Sequence, residues 1–161
     1  MSGPLPSVRM SQVVVAKAFT VLPAGMDKRS VIARLAQGLA MARKIAAEQV
    51  PLIVDTAMQR ETVGSTGIGQ GIGIPHCRTP LVDRISCAFG ISAEGIDFDS
   101  LDGEPVHCVF LLLTPAEAKE QHLHLMRSFA GLIRKEHFTD FLRQVGSAQA
   151  LIELLAEFEN K

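Results

Sequence analysis

The segment RETVGSTGIGQGIGIPHC, residues 60–77, places five glycines (64, 67, 69, 71 and 73) within ten residues and then a histidine behind Pro75. Glycine at that density makes a poor helix and a poor strand. It suits a backbone whose N–H groups must crowd around an anion. His76 is the only good nucleophile nearby, and a neutral imidazole keeps one ring nitrogen unprotonated near neutral pH. The pattern therefore points to an imidazole that accepts a phosphoryl group. The plainer reading is a solvated histidine in a flexible loop. Against it stand Ile68, Ile72 and Ile74, which would anchor the segment to a core, and the hydroxyls of Ser65 and Thr66. The expected oxyanion donors are thus Gly64, Ser65, Thr66, Gly67 and Gly69. Arg60 could add a charge-assisted fork, or simply be a cation favoured at a helix C-terminus.

A second imidazole group, Gln121-His122-Leu123-His124, falls near the start of a predicted helix, where anions are favoured. His122 shares a face with Leu125 and Met126 and could enter a cleft. His124 faces elsewhere and reads as a polar surface residue. His107 and His137 read as structural or solvated. No G-x-G-x-x-G register and no P-loop lysine occurs in the glycine run. Zinc is not expected, because no H-E-x-x-H or C-x-x-C appears. Cys87 and Cys108 read as small hydrophobes inside strands. Cys77 is the one thiol that a cysteine–histidine hydrolase could use.

These residues need elements to hold them. Val31, Ile32, Leu35, Leu39, Met41 and Ile45 predict a helix over 28–49 with Asp27 as N-cap. Pro51 suits the first turn of a second helix, to about residue 59. Residues 72–74 predict a short strand that delivers His76 to its end. Alternation of Ile85, Cys87, Phe89 and Ile91 predicts a strand, and 92–105 reads as turns and loop. The continuous apolar run 106–113 predicts a strand covered on both faces. Helices follow over 120–135 and 139–145, then a last one capped by Ser147. Residues 13–16 read as a short strand, and 1–8 as a loose start to a single domain over 9–161. Central strands between helices make a layered α/β domain.

The chain has 161 residues, 47% of them hydrophobic, which is ample for one packed core. A net charge of -1 gives no basic footprint, so nucleic acid is not an expected partner. Three unpaired cysteines suit a reducing cytoplasm, and no apolar run approaches a membrane span. With neither tyrosine nor tryptophan, the chain cannot carry phosphotyrosine or stack bases on tryptophan.

Arg60-Glu61, Gly64-Ser65-Thr66-Gly67-Ile68-Gly69 and Ile72-Gly73-Ile74-Pro75-His76 together resemble the first motif of the enzyme IIA domain of the fructose/mannitol family of the bacterial phosphotransferase system. The nitrogen-regulatory branch (IIA-Ntr) is the nearest likeness within it. Thr114-Pro115-Ala116 and Gln121-His122-Leu123-His124-Leu125 resemble the second motif. The resemblance runs from about residue 9 to the C-terminus. It implies a three-layer α/β/α sandwich with a mixed central sheet. It implies that His76 takes a phosphoryl group, on Nε2, from a phosphohistidine of an HPr-like carrier. It makes His122 the neutral partner histidine and Arg60 the active-site arginine, with no metal, nucleotide or other cofactor in the step. Gly73 stands where the family usually has alanine, and Cys77, where it usually has glycine, would add bulk beside the site. The function implied is that of a cytoplasmic regulatory IIA acting on target proteins. The alternatives are a sugar-specific IIA that passes phosphate to a separate IIB domain, and an anion-binding module without transfer.

Overall fold

The strand β6, Val106–Pro115, is buried at every position but His107. It can be so only if layers cover both of its faces. The computed structural model describes residues 8–161 and supplies those layers. The loose start expected over 1–8 otherwise lies outside the described residues.

In chain order the elements are α1 (Met10–Val13), β1 (Val14–Val21), α2 (Lys28–Met41), a 3-10 turn (Ala47–Gln49), α3 (Val50–Val63), β2 (Gly67–Gly69), β3 (Ile72–Gly73), β4 (His76–Thr79), β5 (Ser86–Ile96), β6, α4 (Lys119–Ile133), α5 (Phe138–Leu142) and α6 (Ala148–Glu159). Six strands form one sheet in the order β1-β5-β6-β3-β2, with β4 also on β6. The sheet is mixed. β5 runs antiparallel to β6, while β3 and β4 run parallel to it.

Side chains alternate along β6 and so feed two cores. Cys108, Phe110 and Leu112 join Leu125, Phe129, Leu151 and Leu155 on the α1, α4, α5 and α6 side. Val109, Leu111 and Leu113 join Val31, Leu35, Ile53 and Ala57 on the α2 and α3 side. The result is an α/β/α sandwich. Edge-to-face rings bind α4 to the sheet, with Phe89–Phe110 centroids 4.9 Å apart and Phe110–Phe129 4.7 Å apart. Each buried ring of this kind contributes roughly 1.5–3 kcal/mol by removing its surface from water.

Asp27 and Ser147 cap as expected, their side chains accepting from the N–H groups of Ser30 and Ala150. α3 runs to Val63, past the expected 59, α5 covers Phe138–Leu142 rather than 139–145, and three further elements differ more. α2 stops at Met41 rather than 49, because Arg43 turns left-handed (φ 62) and the Lys44 N–H returns to the Leu39 carbonyl at 2.9 Å. β1 runs to Val21, well past the expected 16. β5 continues to Ile96 through the stretch expected as loop, with a register shift between Ile91 and Ile96. A bulge absorbs the turn-forming residues there without ending the strand. Among the described residues no helix is long and apolar enough to cross a membrane.

Candidate functional site

His76 opens β4 rather than closing the strand before it. β3 ends at Gly73, Ile74-Pro75 breaks the ladder, and pairing with β6 resumes at His76 opposite Leu112. Proline has no N–H to give the ladder, so the break falls there for a local reason. Alternation along β4 then sets the faces. His76 and Arg78 share one. Cys77, on the other, is buried in the α2 and α3 core. The expectation that Cys77 adds bulk beside the imidazole is thereby corrected, since the strand turns its thiol through the sheet. Burial pushes that thiol up to about 11, so it stays protonated and is no nucleophile at neutral pH.

The imidazole of His76 is half-buried, and its Nδ1 lies 2.9 Å from the carbonyl oxygen of Ile74. A carbonyl only accepts, so Nδ1 carries the hydrogen. In the neutral ring Nε2 is therefore the nitrogen with a free lone pair. Burial holds the His76 pKa below its ordinary value, and the Arg60 guanidinium lowers it further; the Ile74 carbonyl and Glu61 work in the opposite direction.

His122, on the first turn of α4, packs against His76 with ring centroids 5.2 Å apart and planes tilted by 52°. It is buried, and its Nδ1 sits 2.9 Å from the hydroxyl oxygen of Thr114 near the end of β6. Burial, then the charges of His76 and Arg78, push its pKa down to about 4. The ring is neutral across the physiological range. Arg60, in the last turn of α3, donates to the carbonyl of Gly64 at 2.8 Å.

The glycine run is placed differently from expectation. Ser65 donates its hydroxyl proton to the Phe98 carbonyl at 2.5 Å and accepts from the N–H of Gly67. Thr66 is buried, and both its hydroxyl and its N–H donate to the carboxylate of Glu61. The N–H of Gly64 is bonded to the Glu61 carbonyl. Those donors are engaged inside the fold, so the expectation that they reach an oxyanion is corrected. Gly67 and Gly69 belong to a hairpin with β3, whose Ile72 lies opposite Cys108, four residues before Leu112. Four strand residues at ~3.3 Å each set Ile72 about 13 Å from His76. Gly67 is needed for close approach, because a Cβ there would fall 2.3 Å from the Ser100 hydroxyl oxygen. Gly69, which ends β2, and Gly71, in the turn to β3, take positive φ, at 100° and 78°.

What holds this frame is a buried carboxylate. Glu61 accepts from Lys28 at 2.9 Å, and the Lys28 ammonium also stands 4.9 Å from the Phe98 ring centroid. The sequence reading gave no role at the site to Glu61, Lys28, Thr114 or Arg78, although Glu61 and Thr114 stand inside the two motifs. A signal existed for Arg78, two residues beyond His76 in a strand, and for Thr114, the polar end of a buried run. His124 and His137 are exposed and stand apart from the pair, and His107 bonds the Ser92 carbonyl. Among the described residues no three His, Cys, Asp or Glu side chains gather as a metal site.

The arrangement comprises an unprotonated Nε2, a neutral second imidazole and two guanidinium groups. It can take up a compact anion that bonds covalently to His76. Comparison with known proteins gives this chemistry a setting. Residues 14–158 match the family model of the phosphoenolpyruvate-dependent sugar phosphotransferase system, EIIA 2. A nitrogen regulatory protein of Pseudomonas aeruginosa is 34% identical over 154 residues, covering 95% of this chain and 98% of its own length. A fructose-specific EIIA component of the same system from Haloferax volcanii is 38% identical over 104 residues, covering 65% of this chain and 68% of its own. The crystal structure of the nitrogen regulatory protein IIA-Ntr from Neisseria meningitidis superposes with a TM-score of 0.80 at 28% identity, covering 91% of this chain and 98% of that one.

Proposed function

Because the chain belongs to the EIIA 2 family of the phosphoenolpyruvate-dependent sugar phosphotransferase system, we propose that it is a phosphocarrier in which His76 takes up and passes on a phosphoryl group. The observation that carries this reading is the His76 tautomer. With Nδ1 held by the Ile74 carbonyl, the Nε2 lone pair is free beside His122. The donor is a small HPr-like carrier phosphorylated on histidine. Nε2 of His76 attacks phosphorus in line, the donor's N–P bond breaks, and the donor imidazole departs with the bonding pair. Such a transfer asks for positioning and for charge on the three equatorial oxygens rather than for covalent help. Arg60, Arg78 and the neutral His122 supply that charge and hydrogen bonding. The engaged groups of Gly64, Ser65, Thr66, Gly67 and Gly69 fix the frame around them.

The expected outcome is acid-labile labelling of the wild-type protein by a phosphorylated HPr-type carrier and none of His76→Ala. His122→Ala should label about a hundredfold more slowly, the usual loss for one oxyanion donor. Equal labelling of His76→Ala would remove the proposal.

A regulatory role, in which the phosphorylation state of His76 biases target proteins, is the finer reading. Its support is the nitrogen regulatory protein that matches almost the whole chain. The fructose-specific relative supports a second reading, transfer onward to a separate IIB domain. Incubating the phosphorylated protein with purified fructose-type IIB separates them, since rapid loss of label favours the sugar route and retention favours regulation.

A further inference from the structure

A second concavity lies across the sheet from His76. It encloses about 600 Å³ between the start of β1, the residues after α2 and the lead-in to β5. His76 stands opposite Leu112, Leu112 opposite Cys87, and Cys87 opposite Val14 in the cleft wall. Three strand spacings, about 14 Å, separate the two places.

The cations Arg43, Lys44 and Arg84 line this cleft against one carboxylate, Asp83. None of the three cations is in an ion pair among the described residues. The chain as a whole carries a net charge of -1, so the excess is local. Arg43 takes the left-handed position just beyond α2, which glycine would fill with less strain. The α2 dipole favours cations at that end. It accounts for Arg43 and Lys44, but not for Arg84 or for Ser86. Ser86 also lines the cleft, is 4% exposed, and its hydroxyl has no hydrogen-bond partner among the described residues. Alternation on β5 puts its side chain on the α2 side, with Ala88, where Arg43 and Lys44 stand.

We propose that this cleft binds a small phosphate-bearing molecule. Two guanidinium forks and one ammonium suit the several oxygens and the double charge of a phosphate group better than the single charge of a carboxylate. The Ser86 hydroxyl oxygen is shut off from solvent, and gains an acceptor there once its side chain turns toward the cleft. The volume lies in the usual range of small-molecule sites. The site is separate from His76 and stands whether or not His76 carries a phosphoryl group.

Titration of the full chain with pyrophosphate, followed by amide NMR at low salt, tests it. Saturable shifts are expected at Lys44, Arg84 and Ser86, and unchanged affinity in His76→Ala. The exposed double change Arg43→Gln with Arg84→Gln should weaken binding by about tenfold or more. Ser86→Ala should weaken it several-fold with a melting temperature equal to or above that of the wild type. Absence of saturable shifts, shifts centred on His76, or full affinity in the double variant would each overturn the site. Citrate bound as tightly as pyrophosphate would overturn the phosphate assignment.

Discussion

Thr114 is fully buried, and among the described residues its hydroxyl makes one hydrogen bond, to Nδ1 of His122. If Nδ1 carried the hydrogen, the hydroxyl would accept it and leave its own proton without a partner in the core. That loss is about 1–3 kcal/mol. Donation from Thr114 to a bare Nδ1 avoids it and leaves the hydrogen on Nε2 of His122. The two imidazoles are thus held as opposite tautomers, one with a lone pair on Nε2 and one with N–H there. Thr114→Val removes the donor at nearly constant volume. We expect the His122 nitrogen shifts to report a mixture of tautomers and phosphoryl uptake to slow by about tenfold, with Thr114→Ser restoring both. Unchanged nitrogen shifts in the valine variant would dismiss Thr114 as a positioning residue. His76, His122 and Arg60 were legible in the sequence because each lies in a short motif with a chemical reason for its residue types. Glu61 was not. Its partner Lys28 is 33 residues away, and nothing local marks that carboxylate as buried.

At the level of elements, the breaks were harder to see than the bodies. Helices with a capping residue or an early proline were legible, because the signal sits in the few residues that end them. The fragmentation of residues 67–79 into β2, β3 and β4 was not. Those strands are two to four residues long; β3 and β4 exist by pairing with a distant β6, and β2 by pairing with β3. Gly73 shows how such pairing is made. A Cβ at this position would lie 3.1 Å from the Phe98 ring, closer than ordinary van der Waals contact. Phe98 fills the space where the family's usual alanine would place its methyl group, and Ser65 fastens to the Phe98 carbonyl. Gly73→Ala is therefore expected to destabilise the fold by about 1–2 kcal/mol through overpacking. Phe98→Leu alone should destabilise too, and the pair together by less than the sum. Denaturant unfolding of the four proteins gives the coupling, and strict additivity would show that the glycine and the ring do not share the space.

For the whole molecule, the site joins what the sheet separates. Arg60 comes from α3 on one layer and His122 from α4 on the other, and each acts on the His76 imidazole at the start of β4. Phosphoryl chemistry and global stability are then linked through the same two imidazoles. Both pKa values are lowered in the folded protein, that of His122 to about 4. A histidine held neutral by the fold binds its proton more readily in the unfolded chain. Its stabilising contribution is complete above the unfolded value of about 6.5 and is lost as pH falls toward the folded value. The Asp27 carboxylate, the cap of α2, shifts in the same direction. Its pKa is lowered from 3.8 by the Ser30 N–H, so its contribution fades only below the ordinary carboxylate range. Between about pH 7.5 and about pH 5, His122 alone should lower the unfolding free energy by on the order of 2 kcal/mol. His122→Gln should flatten that part of the profile even if it lowers stability at every pH. A variant profile parallel to that of the wild type would mean that the fold does not hold the His122 ring neutral. In that case the ring could not serve as the neutral hydrogen-bond donor beside His76.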